Sequence, residues 1–480
     1  MLPLQAVEYG SGQELISFSA IDVHNVLKDM KRGKSPGHDG LSIEHLQHAG
    51  PHINRILGML FTLCLRHSYL PQDLIKTIVV PVVKNPTGDT SDKQNYRPIS
   101  LATIMAKVLD GLLNKHLDRI TTLLQDTQFG FRPGLSTESA ILALKHTVNY
   151  YVSRKTPVYA CFLDLSKAFD RVLYDKLWNK LVKAGLSPDI IKIFSYWYNN
   201  QKNVVKWGNS YSVEYNMRCG LRQGGLTSPR LFNIYVNDLI EELSKTHVGC
   251  FIDDVCVNNL SYADDMVLLS PSIGGLRVLL KTCESYAVSH GLKYNAKKSE
   301  FMLFKCQNKG PSTIPPLTID SETLNRVTQF KYLGHVVTED LCDEFDVERE
   351  RRALAVRGNM LAHRFARCTA EIKITLFKAY CQTFYTSSLW AKYTQKSYNA
   401  LRIQYNNIFR ALFRLPRYCS ASGMFADAGV DDFYALMRKK VASLVNRVRG
   451  SSNKVLRMVS ESLDSVLVDR FIELHVMKSQ

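Results

Sequence analysis

Six apolar side chains in a row, Val158-Tyr-Ala-Cys-Phe-Leu163, lead without interruption into Asp164. An unbroken apolar run of this length is the pattern of a strand buried on both faces, so the Asp164 carboxylate is expected where the core stops. Farther along, Leu260 and Met266-Val-Leu-Leu269 flank Tyr262-Ala-Asp-Asp265, which predicts strand, tight turn, strand, with two acids at the tip. Ile78-Val-Val-Pro-Val-Val83, closed by Lys84, is a further strand, and its internal proline predicts an edge position. Ser166 is the expected cap of a helix after Asp164. Ser228 followed by Pro229 predicts another helix start, with Phe232, Tyr235, Val236, Leu239 and Leu243 at helical spacing behind it. Lys34-Ser-Pro-Gly-His-Asp-Gly40 is a glycine-rich connector between two helical patterns. In the last third helical spacing prevails: Tyr405, Ile408, Phe409, Leu412 and Phe413 share one face, as do Met437, Val441, Leu444 and Val448. Asn308–Thr313 with Pro315-Pro316 reads as a turn or linker. The pattern is α+β, in two or three subdomains.

Composition narrows the function classes. Hydrophobic residues make up 45% of the 480, enough for a large core. No apolar run approaches the ~18 residues of a membrane span, and Met-Leu-Pro-Leu-Gln-Ala-Val-Glu lacks the basic-then-apolar order of a signal peptide. No membrane partner is therefore expected, and nucleus and cytoplasm are the expected compartments. Eleven cysteines without two-residue pairing fit reduced thiols rather than a disulfide framework or a zinc site. The net charge is +17, and residues 349–480 hold 23 Lys and Arg against 9 Asp and Glu. Between Ile372 and Ala426 there is no acid, while eight basic residues alternate with aromatics. Such a footprint points to nucleic acid: the cations neutralise phosphates, and exposed rings can stack on bases. Helical spacing assigns most of these aromatics to a core instead.

The acids carry the chemistry. If Asp164, Asp264 and Asp265 meet, unit charges ~4 Å apart repel by roughly 4 kcal/mol per pair at an effective dielectric of ~20. Bound cations make such a cluster tolerable, and Mg²⁺ shares carboxylates with water and phosphate oxygens. Two such ions stabilise both oxygens of an in-line phosphoryl displacement, which points to nucleotidyl transfer. The competing reading is a pair of acids capping their own turn, the reading preferred for Asp253-Asp254. Phe169 is either a functional ring or a helix-face core residue. Asp170 reads as a local structural partner, and the adjacent Gly224 and Gly225 let backbone approach a ligand closely.

Tyr96-Arg-Pro-Ile-Ser-Leu101, Gln128-Phe-Gly-Phe-Arg-Pro-Gly134, Leu163-Asp-Leu-Ser-Lys-Ala-Phe-Asp170, Leu221-Arg-Gln-Gly-Gly-Leu-Thr-Ser-Pro229 and the acid turn follow one another in order. With Lys34–Gly40 upstream and Gly291-Leu-Lys-Tyr-Asn295, Lys298 and Phe330-Lys-Tyr-Leu-Gly334 downstream, this set resembles the reverse transcriptase of non-LTR (LINE-type, jockey-like) retrotransposons over roughly residues 25–340. The resemblance implies a right-hand polymerase, with fingers and palm over 21–340 after a short tail, 1–20, and a helical thumb and basic extension over 341–480. It implies Asp164, Asp264 and Asp265 as catalytic ligands of two Mg²⁺ ions, with Mn²⁺ as a substitute. Phe169 would be the aromatic gate that selects deoxynucleotides, Gln223 and Gly224 would face the nascent pair and the nucleotide, and Lys84 and Arg97 would hold the triphosphate. Lys298 would donate a proton to pyrophosphate, with Lys293 and Lys297 competing for that role. The Lys34–Gly40 connector would touch template, unless it is an ordinary helix–helix turn. Implied partners are an RNA template, a DNA primer or target, dNTPs, and the element's own transcript in a ribonucleoprotein. Members of this family usually carry an endonuclease upstream, and only a short segment precedes these motifs; nicking of its own target is not expected of this chain, nor is a Cys/His knuckle or an RNase H site. The alternatives are a catalytically inactive RNA-binding, maturase-like factor and a relic copy.

Overall fold

The computed structural model describes residues 16–306, 314–462 and 465–475. Most of the 1–20 tail and the linker expected at 308–313 lie outside the described residues. The chain divides into two compact units, Met1–Leu124 with Lys167–Asp238 and His290–Leu292, and Gln125–Ser166 with Leu239–Ser289 and Lys293–Gln480.

In the first unit, strand Lys76–Val83 lies between antiparallel Tyr96–Ala102 and parallel Lys202–Trp207. It is therefore an interior strand, not the edge strand that Pro81 suggested. Pairing with Lys202–Trp207 ends at Val79, so Pro81 has no ladder partner on that side. On the other side it faces Pro98, and neither residue has an N–H to leave unpaired. Helices cover the sheet. Ala20–Asp29 starts at a Ser19/Asp22 capping box, and Ile104–His116 starts at Thr103, whose hydroxyl accepts from Ala106 N. Phe61, Phe194 and Trp197 are fully buried. The Lys34–Gly40 connector is packed against one of these helix starts: a Cβ on Gly37 would lie 2.7 Å from Thr103 Cα. Helix Ser228–Lys245 begins at Ser228 itself, and the Thr227 carbonyl accepts from Leu231 N at 3.0 Å. Thr227, not Ser228, thus stands at the cap position. Phe232, Tyr235, Val236, Leu239 and Leu243 are all buried along it, as their spacing predicts.

The second unit is built on a sheet ordered Asn325–Arg326, Glu300–Phe304, Val158–Leu163, Asp265–Ser270, Asn259–Tyr262. Val158–Leu163 is central, antiparallel to both neighbours and buried at all six positions. The helix expected from Ser166 does not form there. Leu165 bridges to Tyr294 and Ser166 N donates to Lys293 O at 2.8 Å, so the chain is extended to Leu165 and enters a turn, not a helix, at Ser166. A single 3-10 turn, Ala168–Arg171, comes after it, and the next α-helix starts only at Tyr174. Helix Thr137–Ser153 is buried without a break from Ser139 to Val148.

Helices Glu344–Arg364, Ala370–Cys381, Gln395–Phe413 and Phe433–Arg449 make the helical C-terminal part. Most aromatics of the acid-free stretch are core there: Phe377, Trp390, Tyr398, Tyr405 and Phe409 are buried, whereas Tyr380 and Tyr418 are exposed. A buried ionic cluster ties these helices to Thr137–Ser153. Lys145 Nζ lies 2.6 Å from Asp343 Oδ1, and Asp346 accepts from Trp390 Nε1 at 2.8 Å and from Arg349 Nε at 2.7 Å. Burial opposes ionisation of Asp343, but Lys145 and His335 outweigh it and hold its carboxyl down to about 2.

Candidate active site

The acid turn forms as the sequence pattern predicts. Strands Asn259–Tyr262 and Asp265–Ser270 pair from Tyr262 opposite Asp265, leaving Ala263 and Asp264 as a two-residue turn. Ala263 takes a left-handed φ of +57°, a conformation that an alanine adopts only when its surroundings impose it. Those surroundings are residues 127–130. Ser261 N donates to Thr127 O and Phe129 N to Ser261 O, both at 2.8 Å. The buried Gln128 side chain accepts at Oε1 from Ala263 N (3.0 Å) and from Gly130 N (2.9 Å). Gly130 lies against the turn so closely that a Cβ there would be 2.4 Å from Ala263 N.

The third acid arrives on the neighbouring strand. Leu163 is paired with Met266, and one more step of that antiparallel register sets Asp164 opposite Asp265, where cross-strand Cβ atoms lie ~5 Å apart. Ser299 Oγ accepts from Asp164 N at 3.1 Å, and Asp164 O accepts from Asn295 N. Asp265 is an exposed residue, yet the protein packed around its carboxyl partly desolvates it. That enclosure, reinforced by the charges of Asp264 and Asp164, pushes its carboxyl up to about 6. The three carboxylates thus feel one another, and a cation would relieve them. Among the described residues no group of three or more Asp, Glu, His or Cys donors encloses an ion position. An open cluster fits Mg²⁺, which takes one or two carboxylates and completes its shell with water and phosphate oxygens.

Asp253-Asp254 also fills a two-residue turn, between Phe251–Ile252 and Val255–Cys256, with both acids exposed. Lys298 is exposed in the turn before Ser299, and Lys293 and Lys297 are exposed as well, so all three remain candidates for a proton donor.

Of the residues expected at the nucleotide, Phe169, Gln223 and Gly224 lie in or beside the Leu221–Thr227 loop of the first unit, where Leu221 N donates to Phe169 O. The Phe169 ring stacks on Phe232 at 4.7 Å and 15°, and the residue is half-buried. Gln223 Nε2 donates to Asp170 Oδ1 at 3.0 Å, which gives Asp170 the structural role expected of it, and the Gln223 carbonyl accepts from Ser100 N at 2.7 Å. Gly224 has φ +117°, and a Cβ there would come within 3.0 Å of Ser100 O. Arg97 is exposed on Tyr96–Ala102 opposite Val82, while Lys84 is exposed just past Val83 and donates to Gln94 O at 2.8 Å. Sequence reasoning missed three residues that organise these sites: Gln128 and Gly130 around the acid turn, and Asp110 beneath the glycine loop. For the first two a signal existed in Gln128-Phe-Gly130. Asp110 gave none beyond a polar residue on the apolar face of Ile104–His116.

Residues 83–337 match the sequence profile of the family described as reverse transcriptase (RNA-dependent DNA polymerase). Among curated proteins, the probable RNA-directed DNA polymerase from transposon BS of Drosophila melanogaster is 25% identical over 443 residues, 89% of this chain and 48% of that protein. The RNA-directed DNA polymerase from mobile element jockey of Drosophila funebris is 24% identical over 451 residues, 91% of this chain and 48% of the relative. The Pol polyprotein from the type-2 retrotransposable element R2DM of Drosophila melanogaster is 27% identical over 312 residues, 62% and 28% of the two chains. The chain thus spans about half the length of the first two relatives.

Proposed function

Because the chain belongs to the reverse transcriptase (RNA-dependent DNA polymerase) family, we propose that it copies RNA into complementary DNA, extending the 3′-hydroxyl of a DNA primer with dNTPs. The observation that carries this reading is the convergence of Asp164, Asp264 and Asp265 at one end of neighbouring antiparallel strands, where desolvation and the charges of Asp264 and Asp164 together raise the carboxyl of Asp265. These three side chains are the proposed ligands of two Mg²⁺ ions, with Mn²⁺ as a substitute. When bound, the ions would activate the primer hydroxyl and neutralise the triphosphate. The protein's own contribution is placement. Lys84 and Arg97 offer charge-assisted contacts to phosphates, Arg97 with a bidentate fork. Phe169, braced by Phe232, presents a flat ring where a 2′-hydroxyl would clash. Gln223 and Gly224 bring side-chain amide and bare backbone to the nascent pair, and Lys298 is the proposed proton donor to pyrophosphate.

On this reading residues 21–340 are fingers and palm and the helical 341–480 region is thumb and extension, whose basic residues grip duplex phosphates. The proposed template is the transcript of a jockey-like element, carried in a ribonucleoprotein, and the primer is a target-DNA end. Among the described residues no helix is long and apolar enough to cross a membrane.

The test is extension of a DNA primer on an RNA template by purified protein, beside a variant carrying Asp264→Asn and Asp265→Asn. Extension by the parent and none by the variant supports the polymerase. RNA binding without extension in either Mg²⁺ or Mn²⁺ assigns the chain to a maturase-like binding role instead.

A further inference from the structure

The glycine loop is held from below by a buried charge that none of the motifs contains. Asp110, in helix Ile104–His116, is 3% exposed. Its carboxylate accepts from Leu226 N at Oδ2 (2.6 Å) and from the Thr227 hydroxyl at Oδ1 (2.7 Å), and Arg222 Nη2 lies 3.4 Å from Oδ1. Arg222 is equally buried, its guanidinium 3.9 Å from the Trp197 ring centroid and 5.3 Å from that of Tyr198. One carboxylate thus binds three residues that bracket Gln223, Gly224 and Gly225. A side chain at position 225 could not share this task, since a Cβ there would meet Ser228 Oγ at 2.7 Å and Asp110 Oδ2 at 3.4 Å.

Adjacent glycines are the costliest residues to order. Without an outside anchor the segment would sample many conformations, and an arriving nucleotide would have to select one. The other anchors hold the start of the loop: Leu221 N donates to Phe169 O at 2.8 Å, and Gln223 is gripped through Ser100 N and Asp170 Oδ1. We infer that Asp110 is a positioning residue for the incoming nucleotide: through Arg222, Leu226 and Thr227 it fixes the Leu221–Thr227 loop so that Gln223 and the Gly224 backbone stand ready before the nucleotide arrives. The inference rests on the reading of this loop as nucleotide-binding. Asp110 itself touches no substrate.

Two variants test it. Thr227→Val removes one donor to Asp110 and keeps the side chain's shape; Asp110→Asn keeps an acceptor and removes the charge that faces Arg222. Three readouts are taken on each: thermal melting, amide exchange across residues 221–227, and the dNTP dependence of primer extension. The expected result is loop exchange about tenfold faster, a KM for dNTP raised about tenfold and kcat within about twofold of the parent, at a melting temperature close to the parent's for Thr227→Val. Parent-like exchange in Thr227→Val overturns the inference, as does a fall in melting temperature with an unchanged KM, the mark of a merely structural tie. If Asp110→Asn does not fold, Thr227→Val alone decides. If the parent protein fails to extend a primer, the polymerase reading falls, and loop exchange still reports whether Asp110 sets the loop.

Discussion

Gly130→Ala is expected to lower primer extension by about two orders of magnitude while leaving the protein folded and RNA binding close to the parent's. The added Cβ would sit 2.4 Å from Ala263 N and 3.0 Å from Tyr262 C, whereas ordinary contact begins at 3.4 Å. The two backbones must therefore separate by about 1 Å. Residues 127–129 are bonded to Ser261 on both sides and cannot readily give. The turn sits at a strand tip with Ala263 in the left-handed region, so it is the turn that moves, and Asp264 and Asp265 move with it. Overpacking of this kind costs about 1–3 kcal/mol, a minor part of the ~5–15 kcal/mol that stabilises a folded domain. Misplacing reacting groups by ~1 Å costs about 10²-fold in rate. The assay is single-turnover extension at saturating Mg²⁺, with melting temperature and RNA affinity measured on the same preparation. Extension within about threefold of the parent by a folded variant would show that the 127–130 segment does not place the acids.

On the proposed metal-ligand role, proton and cation would compete for Asp265, whose carboxyl is pushed up to about 6. Mn²⁺ affinity should be full above that value and fall about tenfold by one pH unit below it; Asp265→Asn should remove the dependence, and a flat profile in the parent would contradict the coupling. Asp343 runs the other way, held down to about 2 from an ordinary 3.8. Its stabilisation, on the order of 2 kcal/mol, is present above about pH 4 and lost as pH falls through about 2. Urea unfolding between those values should therefore be steeper in pH for the parent than for Asp343→Asn, and equal slopes would remove Asp343 from the acid response. Phe169→Ala should raise ribonucleotide relative to deoxynucleotide incorporation, and an unchanged ratio would take Phe169 out of the gate.

What could be read in the sequence was what a few neighbouring residues settle among themselves. The buried strand into Asp164, the two-residue acid turn and the helical core of the C-terminal part all come from local apolar period. The errors came where a neighbour distant in sequence decides. Pro81 reads as an edge residue because a proline cannot donate to a ladder, and the structure resolves this by ending one ladder two residues earlier. Ser166 reads as a cap because its own neighbours suit a helix start, but the Lys293 carbonyl takes its N–H first. The organising side chains are likewise distant from the groups they hold: Gln128 is 135 residues from Ala263, and Asp110 is 112 from Arg222.

The two acid turns of the second unit make the same point by contrast. Asp253-Asp254 and Asp264-Asp265 are identical dipeptides, each at a tight hairpin and each with a left-handed residue at the turn, Asp253 at φ +49° and Ala263 at +57°. A one-residue difference in register separates them. In the first both acids occupy the turn and are exposed. In the second only Asp264 lies in the turn, and Asp265, though exposed, becomes the first residue of a strand whose other edge pairs with Val158–Leu163. That shift puts a carboxylate in the ladder, across from Asp164, where desolvation and like charge act on it together. Identical dipeptides thus differ in chemistry through the strand beside them, so a cation-binding role belongs to the three-strand arrangement rather than to the Asp-Asp motif.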